Sequence, residues 1–135
     1  EFCQKYLEVQ EIFGDITVVA MSYHNIGYAY CGLEDHEKAF EFFEKALKIW
    51  RQVLGHNHPN VALSYNAIGN VYLSLKKHEK ALEFYQKALE IRKHVFGDNH
   101  PYVVTSYNNI GDAYISLGDN QDTDPFFYDS LEYYE

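Results

Sequence analysis

A repeat of 42 residues is the feature that most limits how this chain can fold. The segment SYHNIGYAY at 22–30 returns as SYNAIGNVY at 64–72 and as SYNNIGDAY at 106–114. The second half of the unit recurs too, because HEKAFEFFEKALKI at 36–49 aligns with HEKALEFYQKALEI at 78–91. Such a unit is too long for one helix or strand and too short for a domain. Each copy must therefore bury its apolar face against its neighbours.

Within each copy the apolar residues follow a helical period. In the second copy, Tyr65, Ile68 and Tyr72 lie three and four residues apart on one face of a first helix. Gly97 predicts a left-handed cap that ends the second helix, and Pro101 suits the first turn of the next one. The pattern predicts helices at 2–13, 16–33, 36–54, 59–75, 78–96, 101–117 and 125–134.

Small residues return in fixed register along these helices. Gly27, Gly69 and Gly111 lie in the middle of the first helices, where glycine costs about 1 kcal/mol relative to alanine. The second helices carry alanines that would face them: Ala39, Ala46, Ala81 and Ala88. We therefore expect the two helices of each copy to cross closely at the glycines.

This pattern resembles the tetratricopeptide repeat, in a 42-residue variant similar to the repeats of kinesin light chains. The positions that carry the resemblance on the first helices are Tyr23, Ile26, Gly27, Tyr30, Tyr65, Ile68, Gly69, Tyr72, Tyr107, Ile110, Gly111 and Tyr114. On the second helices they are Ala39, Phe43, Ala46, Ala81, Tyr85 and Ala88. The resemblance implies an all-α superhelix, a solenoid of antiparallel helix hairpins whose first helices line a concave groove.

The repeat boundaries predict one array of three repeats and a leading half repeat: 1–14 as a partial second helix, then 15–55, 56–97 and 98–135. Lys5–Val9 resembles the end of a second helix such as Lys87–Ile91, and residue 1 is Glu, so we expect a piece of a longer protein. In the third repeat, Pro125 predicts a second helix that begins about one turn late. The acidic tail at 118–135 either packs as a degenerate helix or docks on a neighbour.

Helical periodicity indicates which residues the first helices turn away from their cores. The set predicted to bind a peptide is His24, Asn25, Tyr28, Asn66, Asn70, Leu73, Asn108, Asn109 and Asp112. Asparagine is a poor helix former, so repeated asparagines within helices suggest another use, such as pairing with the backbone of an extended peptide. The alternative is that these amides are solvated, or tie adjacent helices together.

Charge limits the partner. The chain has 11 Lys and Arg against 20 Asp and Glu, a net charge of −9, which disfavours nucleic acid and anionic membranes. The predicted stripes contain no Lys or Arg, so a neutral, aromatic or basic peptide is expected rather than an acidic one. Two cysteines without a CxxC spacing favour a reducing, cytoplasmic setting.

Catalytic signatures are absent from the sequence. No phosphate-binding glycine loop or nucleophile elbow occurs, and His58 and His100 occupy one repeat position before proline, which favours a connector role over a metal site. We therefore predict a non-enzymatic scaffold or adaptor module without metal or cofactor. The alternative is a structural spacer, or a self-associating segment of a longer solenoid whose tail docks on a neighbour.

Overall fold

The computed structural model describes the backbone of residues 2–120 and the side chains of residues 14–118. In that part of the chain it contains five helices and no strand: α1 (Phe2–Gly32), α2 (His36–Leu54), α3 (Pro59–Ser74), α4 (His78–Phe96) and α5 (Pro101–Asn120). The all-α prediction is confirmed, and α2 and α4 have the predicted bounds. The predicted helix at 125–134 and the acidic tail lie outside the described residues. The chain divides into two compact units, residues 1–64 and 65–135.

The first unit is built on the pairing of α1 with α2. The ring of Tyr30 stacks on Phe42 with centroids 5.5 Å apart, while His24 lies near Trp50, so the two helices run antiparallel. The side chain of Asp35 accepts a hydrogen bond from the Lys38 N–H at 3.2 Å and caps the start of α2. The buried side of α2 consists of Ala39, Phe43, Ala46 and Trp50.

The second unit packs α4 between the end of α3 and α5. A Cβ atom built on Gly69 of α3 would lie 2.7 Å from the ring of Tyr85 on α4. The expected close crossing is therefore present here, and also at Gly27, where a Cβ would lie 2.7 Å from the Phe43 ring. The buried cluster of this unit is Ala81, Tyr85, Leu89, Val103, Ile110 and Ala113.

The start of the chain departs from the predicted helix bounds. We predicted a partial helix at 2–13 and a second helix from 16, but α1 runs unbroken through Gly14. The junction contains no proline and no capping histidine, and Thr17 Oγ1 donates to the Gly14 carbonyl at 2.8 Å, a bond compatible with a continuous helix. A single glycine without such stop signals is tolerated inside a helix.

The connectors between repeats use glycine and histidine. Gly55 and Gly97 end α2 and α4 with φ of 87° and 85°, but their ψ values of 171° and 176° differ from the predicted left-handed helical cap. His58 and His100 then begin the next helices, because their Nδ1 atoms accept the N–H groups of Asn60 and Tyr102, each at 3.1 Å. The histidines of the connectors thus act as helix caps.

Candidate functional site

Four asparagines and one aspartate of the second unit form the candidate site, which we call the amide surface: Asn66, Asn70, Asn108, Asn109 and Asp112. The amide Nδ2 of Asn109 on α5 donates to Oδ1 of Asn66 on α3 at 2.7 Å. Asn66 is 9% exposed, so this bond joins α3 and α5, the first helices of the second and third repeats, at the edge of the core. The acceptor oxygen of Asn109 remains unused by any other described residue.

Asn70 is held in place by α4. Its Oδ1 accepts a hydrogen bond from the Tyr85 hydroxyl. Tyr85 is 1% exposed, so its ring anchors the asparagine from inside the core while Asn70 itself is half-buried. Both N–H donors of the Asn70 amide stay without an acceptor among the described residues.

The remaining predicted residues of this unit differ in exposure. Asn108 and Asp112 are exposed on α5, one helical turn apart. Leu73 is half-buried and packs against the buried cluster of the unit. The amide surface therefore combines two asparagines oriented by internal bonds with an exposed amide and an exposed carboxylate.

The three predicted residues of the first unit lie on α1. Asn25 and Tyr28 are exposed, and the Tyr28 ring meets Phe43 edge-on with centroids 5.2 Å apart. His24 is 3% exposed, and its ring lies 5.3 Å from that of Phe43 and 5.7 Å from that of Trp50. Its Nδ1 has no hydrogen-bond partner among the described residues. The structure thus brings His24 into the core, while Asn25 and Tyr28 stay accessible.

Burial of His24 makes the stability of the protein depend on pH. Burial lowers the pKa of His24, so the unfolded chain binds more protons than the folded one below the usual histidine pKa. Stability from neutral His24 is complete above that value and is lost as pH falls through it towards the folded pKa. We expect the urea midpoints at pH 8 and pH 5.5 to differ less in the variant His24→Asn than in the unaltered chain. Asparagine is the residue that the later repeats carry at this position. Parallel pH profiles would contradict this.

Sequence reasoning missed the role of Tyr85 in holding Asn70. The signal was present in the repeat register, where Tyr28 and Phe43 of the first repeat correspond to Asn70 and Tyr85 of the second. The first pair makes a ring contact and the second a hydrogen bond. The asparagine and the tyrosine hydroxyl that bond to each other therefore occur in the same repeat.

A cationic cavity of about 360 Å³ lies at the turn between α3 and α4. It is lined by Lys76, Lys77, His78, Glu79, Lys80 and Leu117. His78 is largely buried there and bonds Ser116 through Nε2 at 3.0 Å. These lysines lie at the end of the hairpin, so Asp112 remains the charged residue of the amide surface.

Among the residues that the structure describes, no group of three His, Cys, Asp or Glu side chains could hold a metal ion. None of the helices in the described part has the length and hydropathy needed to cross a bilayer.

Paired helices that cross at glycine, carry in-register alanines and repeat every 42 residues define a helical repeat protein. The profile described as tetratricopeptide repeat matches residues 18–94 and 65–135. The chain belongs to the tetratricopeptide repeat family. Domains of this family are in general protein–protein interaction modules, and their fold is generally non-catalytic.

Solved structures show the same fold at low sequence identity. BtubC (BKLC) from P. vanneervenii is 22% identical with a TM-score of 0.68, over 88% of this chain and 55% of that one. The TPR domain of Arabidopsis FLU is 19% identical with a TM-score of 0.70, over 88% and 91%. TPR-like repeats assigned to a kinesin light chain of Podosopora anserina are 22% identical with a TM-score of 0.65, over 85% and 53%. The chain thus spans about half the length of BtubC. No curated protein sequence matches.

Proposed function

We propose that the chain is a non-catalytic recognition module of a scaffold or adaptor, which binds an extended peptide on the amide surface. The observation that carries the proposal is the internal bonding of the asparagines. The bond from Asn109 to Asn66 occupies one donor of Asn109, and the bond from Tyr85 occupies the acceptor of Asn70. Donors of Asn70 and an acceptor of Asn109 are left for a ligand.

This arrangement suits a peptide backbone for two reasons. An extended backbone offers alternating N–H and C=O groups, which need both acceptors and donors. Side chains already held by bonds to the protein lose little conformational freedom when a ligand binds, so more of the interaction energy becomes affinity. The exposed Asn108 and Asp112 extend the same surface along α5.

Charge selects among peptides. Asp112 is an exposed carboxylate on this surface, and the chain as a whole carries a net charge of −9. A neutral, aromatic or basic peptide is therefore favoured, because an acidic one meets like charge. The lysines around the cavity at the α3–α4 turn would suit an acidic peptide better than the amide surface does.

Peptides selected from a random 12-residue library displayed on phage should bind less well to Asn108→Ala. The loss should be about five- to tenfold in Kd, or about 1 kcal/mol, because one exposed side-chain hydrogen-bonding group is removed without disturbing the fold. Isothermal titration calorimetry with one selected peptide measures it. Asn108 is suited to this test because, unlike Asn66, it makes no hydrogen bond with another described residue.

Asn99→Ala is the matched control, because Asn99 is an exposed asparagine in the connector before α5. It should bind the selected peptide with unchanged Kd. Equal binding by the unaltered chain, Asn108→Ala and Asn70→Ala would contradict the proposal and move the site away from the amide surface. Loss of binding only when lysines 76, 77 and 80 are replaced would assign it to the cationic cavity.

A further inference from the structure

The outer face of α1 exposes apolar side chains that the other repeats bury. Val19 is 44% exposed, whereas Val61 and Val103, at the same repeat position, are 0% exposed. Ile26 is 39% exposed, against 7% for its equivalent Ile110. We call Val19 and Ile26 the α1 face. Covering these side chains removes apolar surface from water, so an element that packs on them is favoured.

The second unit shows what covers the equivalent positions. Val103 and Ile110 of α5 belong to one buried cluster with Tyr85 and Leu89 of α4. The helix that covers this position is therefore the second helix of the preceding repeat, running antiparallel to the helix that it covers. A helix of the same kind would cover the α1 face in the same way.

The sequence before the α1 face has the character of such a helix. KYLEV at 5–9 resembles KALEI at 87–91, which includes Leu89 of the covering helix. FGD at 13–15 repeats FGD at 96–98, where Gly97 ends α4 with a φ of 85°. Counted from the KYLEV match, Gly14 lies one residue before the position of Gly97, the glycine that ends a helix in the second unit. A Cβ atom added to Gly14 would meet nothing within 4 Å, so packing does not explain the glycine there.

We infer that residues 2–13 dock antiparallel on the α1 face in a second conformation of the first unit, in which the helix ends at Gly14 as α4 ends at Gly97. The unbroken α1 and this docked form are two states of one element. The lengths agree, since a helix of 12 residues spans about 18 Å, enough to run from Val19 past Ile26. This inference does not depend on the proposed function.

The two cysteines of the chain, Cys3 and Cys31, allow a direct test. In an unbroken helix they are 28 residues apart, which places their Cα atoms about 42 Å from each other. In the docked form they lie on neighbouring antiparallel helices, and the separation falls below about 20 Å. Nitroxide labels on both thiols of the 135-residue chain, measured by double electron–electron resonance, separate the two distances. Burial raises the pKa of the Cys31 thiol, so labelling is done at alkaline pH.

A population at the short distance is the expected result. Gly14→Ala should shift the equilibrium between the docked and the unbroken form about fivefold towards the unbroken form, which has the long distance. The reason is that alanine favours the helix interior and resists positive φ. Ile26→Asp should do the same by making the α1 face polar, while Asn25→Asp beside it should leave the distances unchanged.

Two results would overturn the inference. A single distance near 42 Å in the unaltered chain would show that α1 remains unbroken. A short distance that disappears when labelled chain is diluted into an excess of unlabelled chain would arise between molecules, so a second copy would cover the α1 face instead.

Discussion

Replacing Gly69 with leucine is expected to destabilise the second unit by about 3 kcal/mol or more. The first added carbon alone would lie 2.7 Å from two ring atoms of Tyr85 and 3.3 Å from the carbonyl oxygen of Ala81. The ring cannot turn aside cheaply, because it is fully buried and its hydroxyl is bonded to Asn70. Either α3 and α4 move apart, or the core around Tyr85 is rebuilt.

Urea unfolding followed by far-UV circular dichroism measures this loss. Gly32→Leu is the control, since Gly32 ends α1 and a Cβ there would meet nothing within 4 Å. That variant should stay within about 0.5 kcal/mol of the unaltered chain. If Gly69→Leu were as stable as Gly32→Leu, the close crossing of α3 and α4 would not be what holds this hairpin together.

Ser106→Ala is expected to lower the free energy of unfolding by about 1–3 kcal/mol, although it removes only one oxygen atom. Arg92 is 6% exposed, and its guanidinium donates to Ser106 Oγ at 2.9 Å and to the Tyr102 carbonyl at 3.4 Å. Alanine leaves a buried charged donor with one acceptor fewer, and a buried charge that loses a partner is costly.

The first unit contains a built-in control for this prediction. Ser64 occupies the same repeat position as Ser106, but Trp50 stands where Arg92 stands in the next repeat. Ser64 Oγ is buried and has no hydrogen-bond partner among the described residues. Ser64→Ala should therefore be neutral or slightly stabilising when the urea midpoints of both serine variants are compared with that of the unaltered chain. Equal losses at Ser64 and Ser106 would mean that packing around the serine, and not the bond to arginine, determines its value.

Most of the fold could be predicted because it rests on local, repeated signals. Helix bounds followed from periodicity together with stop and start residues such as Gly97 and Pro101, and the close crossings followed from glycines in register. The start of α1 could not be predicted in this way. Gly14 is followed by no proline or capping histidine, so its sequence is compatible with both a helix interior and a helix end.

Less of the candidate site could be predicted, because its residues differ in their neighbours and not in their own repeat position. Asn66 and Asn108 are equivalent in sequence, yet Asn66 is buried against Asn109 while Asn108 is exposed. His24 shares that position and enters the core because Phe43 and Trp50 surround it. Helical periodicity predicts the direction in which a side chain points, whereas its exposure depends on the helix that packs beside it.

The burial of Trp50 has a practical consequence. It is the only tryptophan of the chain and is fully buried in the first unit. Indole emission, excited at the red edge of the aromatic absorption, therefore reports on that unit alone, whereas circular dichroism averages over every helix. If the two signals change at different urea concentrations, the two halves of the array unfold separately, and their coupling can be measured without introducing a dye.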